Sequence, residues 1–299
     1  MSNERRSPAN AYLYAMVAVL FWATSASAFK LSLRHVGVLP LLFVASATST
    51  VAFGIYLLAT KRLVLLKAFT RSDYLWSAGL GFLNPFLYYV VLFKAYSLLP
   101  AQEAQPINFV WPLTLVLLSI PLLGQRIRFA SILAILISFT GVVVIATRAT
   151  GPADVLRFRF SCGTGVLLAL STTIVWALFW IFNTKDRRDE AVRLFVNFAF
   201  ATGYILIALL LAGRVEIPPW QGLAGGVYVG LFEMGITFLA WLKALKTAPT
   251  TAYVVNLIYL VPFLSLLIIA LVLDETILPS TVLGLVLIIA GIIAQKRWA

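Results

Sequence analysis

The chain has one cysteine, Cys162, and one histidine, His35, in 299 residues. A lone cysteine closes no intrachain disulfide and builds no Cys-based metal site. One histidine excludes multi-histidine zinc or iron centres and leaves a Ser-His triad poorly supported. No metal and no cofactor are expected. Charge is scarce as well: 11% of residues are charged, against about 25% in a soluble domain. With hydrophobic residues at 62%, there is too little polar surface to cover a water-soluble fold, which excludes a soluble enzyme and a disordered chain. No Walker A sequence occurs, which argues against direct ATP drive. Ser27-Ala28-Phe29-Lys30 matches S-x-x-K without its companion motifs and reads as chance.

Long apolar runs take the place of the missing charge. A membrane-spanning helix needs about 20 apolar residues, and ten runs approach this: 11–32, 40–59, 74–96, 104–123, 129–147, 162–182, 192–211, 220–244, 251–273 and 278–295. Nothing remains for a water-soluble domain. The expected class is an all-α polytopic membrane protein, and the formal net charge of +12 then reflects cationic loops against anionic headgroups rather than nucleic-acid binding. Counting Lys and Arg with the N-terminus inside gives sixteen inner against seven outer, together the 23 of the chain. Both termini are therefore expected in the cytoplasm, with the chain in a cell membrane (the inner membrane if the source is bacterial). Arg5 and Arg6 followed by an apolar run and Ala26-Ser27-Ala28 imitate a signal peptide, but the repeat below needs this segment as a span.

The chain resembles itself at half its length. At an offset of 149, Gly81 falls on Gly230, Lys94-Ala95 on Lys243-Ala244 and Pro100 on Pro249; at 150, Pro112 falls on Pro262 and Gly141 on Gly291. Trp22-Ala23 matches Trp176-Ala177. This divides one membrane domain into repeats 1–150 and 151–299 of five spans each. An odd number of spans reverses direction, so the expected fold is ten transmembrane helices in two inverted five-helix repeats around a central cavity. Such repeats recur in secondary transporters, where near-equivalent halves exchange conformations.

With Trp22-Ala23…Lys30 opening the first repeat and Pro262…Asp274-Glu275…Gly284…Gly291 closing the second, the sequence resembles the drug/metabolite transporter superfamily, EamA family. Gly124-Gln125 stands where that pattern carries an acid in the first repeat. Asn108-Phe109-Val110-Trp111-Pro112 is similar to the N-[YF]-x-W-P stretch of YddG-type aromatic amino-acid exporters. The resemblance implies export of amino acids or related small metabolites.

Ionisable groups at mid-membrane default to functional candidates, and Glu233 is the one near a span centre. It is a candidate to bind a substrate ammonium or to couple a proton; the structural alternative is a protonated carboxyl bonded to a neighbouring helix. Its repeat mate is Asn84, and Thr237 and Tyr88 follow each by four residues, which on an α-helix puts each pair on one face. Asn108 with Trp111, and Asn256 with Tyr259, share faces near prolines and suit a zwitterion with an apolar side chain; plain interhelical hydrogen bonding is the alternative for the asparagines. Trp22, Trp176 and Trp180 are further substrate candidates, while Trp76, Trp220 and Trp298 read as interface anchors. Lys94 and Lys243 read as snorkelling side chains, and Gly226…Gly230 as close packing within the monomer.

The leading function is a secondary transporter of small molecules working by alternating access, as monomer or homodimer in the lipid bilayer. A passive channel would need a continuous polar pore, and an intramembrane enzyme a clustered nucleophile and base.

Overall fold

The computed structural model describes residues 8–124, 129–150, 162–184, 186–213, 217–247 and 256–298. All regular structure among them is helical. In chain order the α-helices are α1 Pro8–Leu33, α2 Val38–Ala59, α3 Arg71–Gly81, α4 Tyr88–Leu98, α5 Ala101–Asn108, α6 Trp111–Leu123, α7 Phe129–Ala146, α8 Gly163–Thr184, α9 Glu190–Leu211, α10 Trp220–Tyr228, α11 Ile236–Thr247, α12 Leu260–Leu273 and α13 Pro279–Trp298. Short 3₁₀ helices run over Arg62–Ala68 and Asn256–Tyr259, and π-helical segments over Phe82–Leu87 and Val229–Gly235.

Among the described residues, seven helical stretches are long and apolar enough to cross a membrane: Ala9–Leu33, Val38–Ala59, Arg71–Leu98, Ala101–Leu122, Gly163–Asn183, Glu190–Leu211 and Trp220–Ala244. Leu133–Ile145, Leu260–Leu273 and Pro279–Ala294 are apolar but shorter. Polar caps mark where the runs begin. Thr70 and Asp73 close a reciprocal capping box on α3, the Thr70 N–H donating to Asp73 Oδ2 at 2.8 Å. Asp189 Oδ1 accepts from the Ala191 and Val192 N–H groups at the start of α9.

The chain divides into two compact units, Met1–Phe86 with Arg188–Ile268 and Leu87–Arg187 with Ile269–Ala299. Each draws segments from both halves of the sequence. In the first, α1 packs on α10 and α11, α2 on α9 and α10, and α3 on α9. Close approach is made by glycine: a Cβ on Gly81 would lie 2.3 Å from the Asn197 carbonyl oxygen, and one on Gly230 2.5 Å from that of Ala45. Gly226 meets Val44, so the Gly226…Gly230 element does pack within the chain. In the second unit α8 packs on α4, α5 and α6, and α7 on α13. A Cβ on Gly141 would lie 2.5 Å from the Gly284 carbonyl oxygen, and one on Gly284 2.5 Å from that of Gly141.

Three runs that read as continuous spans are interrupted. Pro112 has no N–H to donate to the Asn108 carbonyl four residues back, so α5 stops at Asn108 and α6 restarts at Trp111. Pro85 sits in the first π segment, where Asn84 takes φ −149° and ψ 121°, outside helical values. The second π segment contains Glu233, and the Thr237 hydroxyl bonds back five residues to the Phe232 carbonyl. The expected i, i+4 face of Asn84–Tyr88 is therefore corrected, because Asn84 leaves helical φ/ψ.

Candidate functional site

In the second unit the sequence brings aromatic rings and one amide together around α8. Trp176 is the hub. Its ring lies 4.7 Å from that of Tyr88 on α4, 6.4 Å from Trp111 at the start of α6, and 6.0 Å from Trp180 one turn along α8. Offset and edge-on pairs at these distances each add about 0.5–1.5 kcal/mol beyond area burial.

Asn108, half-buried at the end of α5, has its amide orientation fixed by this group. The Thr172 hydroxyl donates to the Ala169 carbonyl at 2.5 Å, which leaves its oxygen free to accept. Asn108 Nδ2 donates to that oxygen at 2.7 Å, and the Tyr88 hydroxyl donates to Asn108 Oδ1 at 3.3 Å. An amide has two N–H donors and a carbonyl with two lone pairs. These bonds engage one donor and one lone pair, and the other donor and lone pair can address a ligand beside a wall of rings. Farther along the same interface Thr114 and Thr173 share a 2.9 Å hydroxyl bond.

Near the start of α5, Glu275 from the α12–α13 connection accepts the Ala101 and Gln102 N–H groups at 3.1 and 3.2 Å. Gln102 returns the contact, Nε2 donating to the Thr276 carbonyl at 2.9 Å and Oε1 accepting from the Leu278 N–H at 3.0 Å. A carboxylate there satisfies orphan donors and complements the helix dipole. Fully buried Glu103 pairs with Arg148 at 3.1 Å.

The first unit holds the Glu233 group. Glu233 is 9% exposed. Ser25 on α1 donates its hydroxyl to Glu233 Oε2, and Trp22 Nε1 donates to the Glu233 backbone carbonyl at 3.3 Å. The Trp22 ring lies 5.5 Å from Trp241 and 6.3 Å from Phe238. Thr24 and Tyr228 share a hydroxyl bond of 2.7 Å.

Tyr88, Asn108, Trp111, Trp176 and Trp180 thus meet in one unit, and Trp22 with Glu233 in the other. Thr237 turns to its own backbone. Asn84 is fully buried, with no hydrogen-bond partner for its amide among the described residues. The side chains of Asn256 and Tyr259 lie outside the described residues. Lys243 packs over the Tyr14 and Tyr56 rings at 5.5 and 6.0 Å, whereas Lys94 is exposed. Trp76 and Trp220 are exposed, as interface anchors require. Thr172, Ser25, Trp241 and Tyr228 were not singled out by the sequence. Two carried a usable signal: Thr172 is one turn from Trp176, and Ser25 one turn from Trp22. Among the described residues no group of His, Cys, Asp and Glu could hold a metal ion.

The EamA-like transporter family matches twice, over residues 9–147 and 163–294. An "Aromatic amino acid exporter YddG" of Ancylobacter novellus is 28% identical over 241 residues, 79% of each chain. A "Probable terminal-alkyne amino-acid exporter" of Streptantibioticus cattleyicolor is 30% identical over 205 residues, 66% of this chain and 65% of that one. One solved crystal structure covers 97% of this chain and 98% of its own at a TM-score of 0.66 and 23% identity, a likeness of fold. The chain belongs to the EamA-like transporter family, as a multi-pass membrane protein that transports small molecules.

Proposed function

We propose that this EamA-family transporter is a secondary carrier exporting amino acids, aromatic and other apolar ones preferred, or closely related metabolites, by alternating access. The observation that carries the reading is the Trp176 group. The Tyr88, Trp111 and Trp180 rings cluster on Trp176, and Tyr88 joins that cluster to the Asn108 amide, whose orientation Thr172 and Tyr88 fix; this suits an apolar side chain next to a polar head group. The names of the two exporters point the same way. Asn108, Trp111, Trp176, Trp180 and Tyr88 contact substrate in this scheme. Trp22 and Glu233 form the polar counterpart in the first unit, with Glu233 meeting the substrate ammonium or carrying a coupled proton. Asn84, Thr237, Asn256 and Tyr259 complete the set.

The underlying architecture is ten spans in two inverted repeats, 1–150 and 151–299, with both termini in the cytoplasm. Support comes from three shorter apolar helices added to the seven long ones and from the double family match. It comes also from π segments beside the matched glycines Gly81 and Gly230, which make the same glycine-to-carbonyl contact.

The test uses purified protein in liposomes loaded with one labelled amino acid. Efflux is measured against a panel of external amino acids, with and without a pH gradient. Saturable exchange strongest with Trp, Phe and Tyr is expected. Flux that does not saturate overturns the carrier in favour of a channel, and exchange blind to amino acids overturns the substrate class.

A further inference from the structure

On the surface of the first unit an open apolar groove of about 480 Å³ shares no lining residue with the Trp22 and Glu233 group. Its walls are Leu66 of the 3₁₀ helix, Tyr74 of α3, and Phe195, Phe200, Gly203 and Ile207 of α9. From Phe195 to Ile207 the α9 stripe climbs roughly 18 Å, against about 15 Å for one leaflet of a ~30 Å hydrocarbon core. At about 30 Å³ for each water-sized group, the volume takes on the order of sixteen methylenes. The groove is open at Gly203, where a Cβ would meet no atom within 4 Å.

The described residues at the two ends differ in charge. Lys67 follows Leu66 in the chain, and Arg71 lies about one turn before Tyr74; both are exposed. Nearby, Arg188 is already engaged, its guanidinium 4.9 Å above the Phe69 ring and bonded to the Asp73 carbonyl. At the far end Ile207 and Leu211 are exposed and apolar. One acyl chain's length and volume, with cations among the described residues at the Lys67–Arg71 end, match a single kind of occupant.

We propose that the groove binds one acyl chain of an anionic phospholipid whose headgroup meets Lys67 and Arg71. This requires only that the chain be embedded in a membrane, so it stands or falls apart from the transported substrate.

The test is native mass spectrometry of the whole protein in micelles containing equal phosphatidylglycerol and phosphatidylcholine of the same acyl length. One retained phosphatidylglycerol per chain is expected. At about fivefold per cation near an anionic lipid, its preference over phosphatidylcholine is on the order of twenty-fivefold. K67Q/R71Q is expected to abolish the preference without any repacking, and Gly203→Phe to remove the retained lipid while leaving both cations. Gly203→Ala leaves the groove open and is expected to keep it. If Gly203→Phe fails to fold, the charge variant still decides. Equal retention of both lipids by the wild type, or a preference that survives K67Q/R71Q, overturns the proposal. A wild-type dimer that Gly203→Phe separates overturns it too, assigning the groove to a second copy.

Discussion

Thr172→Val replaces a hydroxyl by a methyl of nearly the same size and so removes one of the two groups that fix which way the Asn108 amide faces, leaving the longer Tyr88 bond. In the wild type the Thr172 hydroxyl proton is committed to the Ala169 carbonyl, and its oxygen accepts from Asn108 Nδ2 at 2.7 Å. The variant loses that bond, and a donor in a largely buried position loses its acceptor. A net hydrogen bond is worth about 0.5–1.5 kcal/mol and an orphaned buried donor costs about 1–3 kcal/mol, so destabilisation of about 1–2 kcal/mol is expected. If the amide then samples both orientations, a substrate relying on it binds on the order of tenfold more weakly, since 1.4 kcal/mol is a factor of ten. The assay pairs thermal unfolding in detergent with the concentration dependence of tryptophan exchange in liposomes. Thr172→Ser keeps the hydroxyl and is the control that should restore affinity. A Thr172→Val protein exchanging tryptophan with wild-type affinity would refute the assignment of Asn108 as a substrate contact.

Three further outcomes follow from other contacts. Glu233→Gln retains an oxygen for the Ser25 hydroxyl but cannot ionise; exchange should lose its response to an imposed pH gradient, and an unchanged response removes Glu233 from proton coupling. Glu275→Ala strips the acceptor from two N–H groups of α5 and should cost about 1–2 kcal/mol, read as a lower unfolding temperature, with Glu275→Gln intermediate; identical melting would mean the contact adds nothing. Gly141→Ala drives a Cβ to 2.5 Å from the Gly284 carbonyl oxygen, and overpacking of this kind should cost about 1–3 kcal/mol. A melting curve superimposable on wild type would show that α7 and α13 can yield.

Features that depend on composition over many residues are legible in the sequence. The runs at 40–59 and 192–211 became α2 and α9 almost unchanged, because twenty apolar residues have few alternatives in a bilayer. The meeting of Trp176 with Trp111 was half legible. Both were singled out as substrate candidates, but nothing in their spacing says that α8 packs on both α4 and α6. The broken helices were less legible still. Pro85 and Pro112 announce a disturbance, whereas the π segment around Glu233 has no proline and only Gly230 and Gly235 to betray it. Ser25 shows the deepest limit: it lies 208 residues from the carboxyl it serves, and only tertiary packing joins them.

The interlock of Gly141 and Gly284 reaches beyond stability. Two backbones touching with no side chain between them have almost no freedom to slide, because any shift drives a carbonyl into a neighbouring atom. Fluorophores attached to α7 and α13 should therefore report one unvarying separation through every turnover. That pair offers a stationary internal ruler against which movement elsewhere in the working protein can be measured.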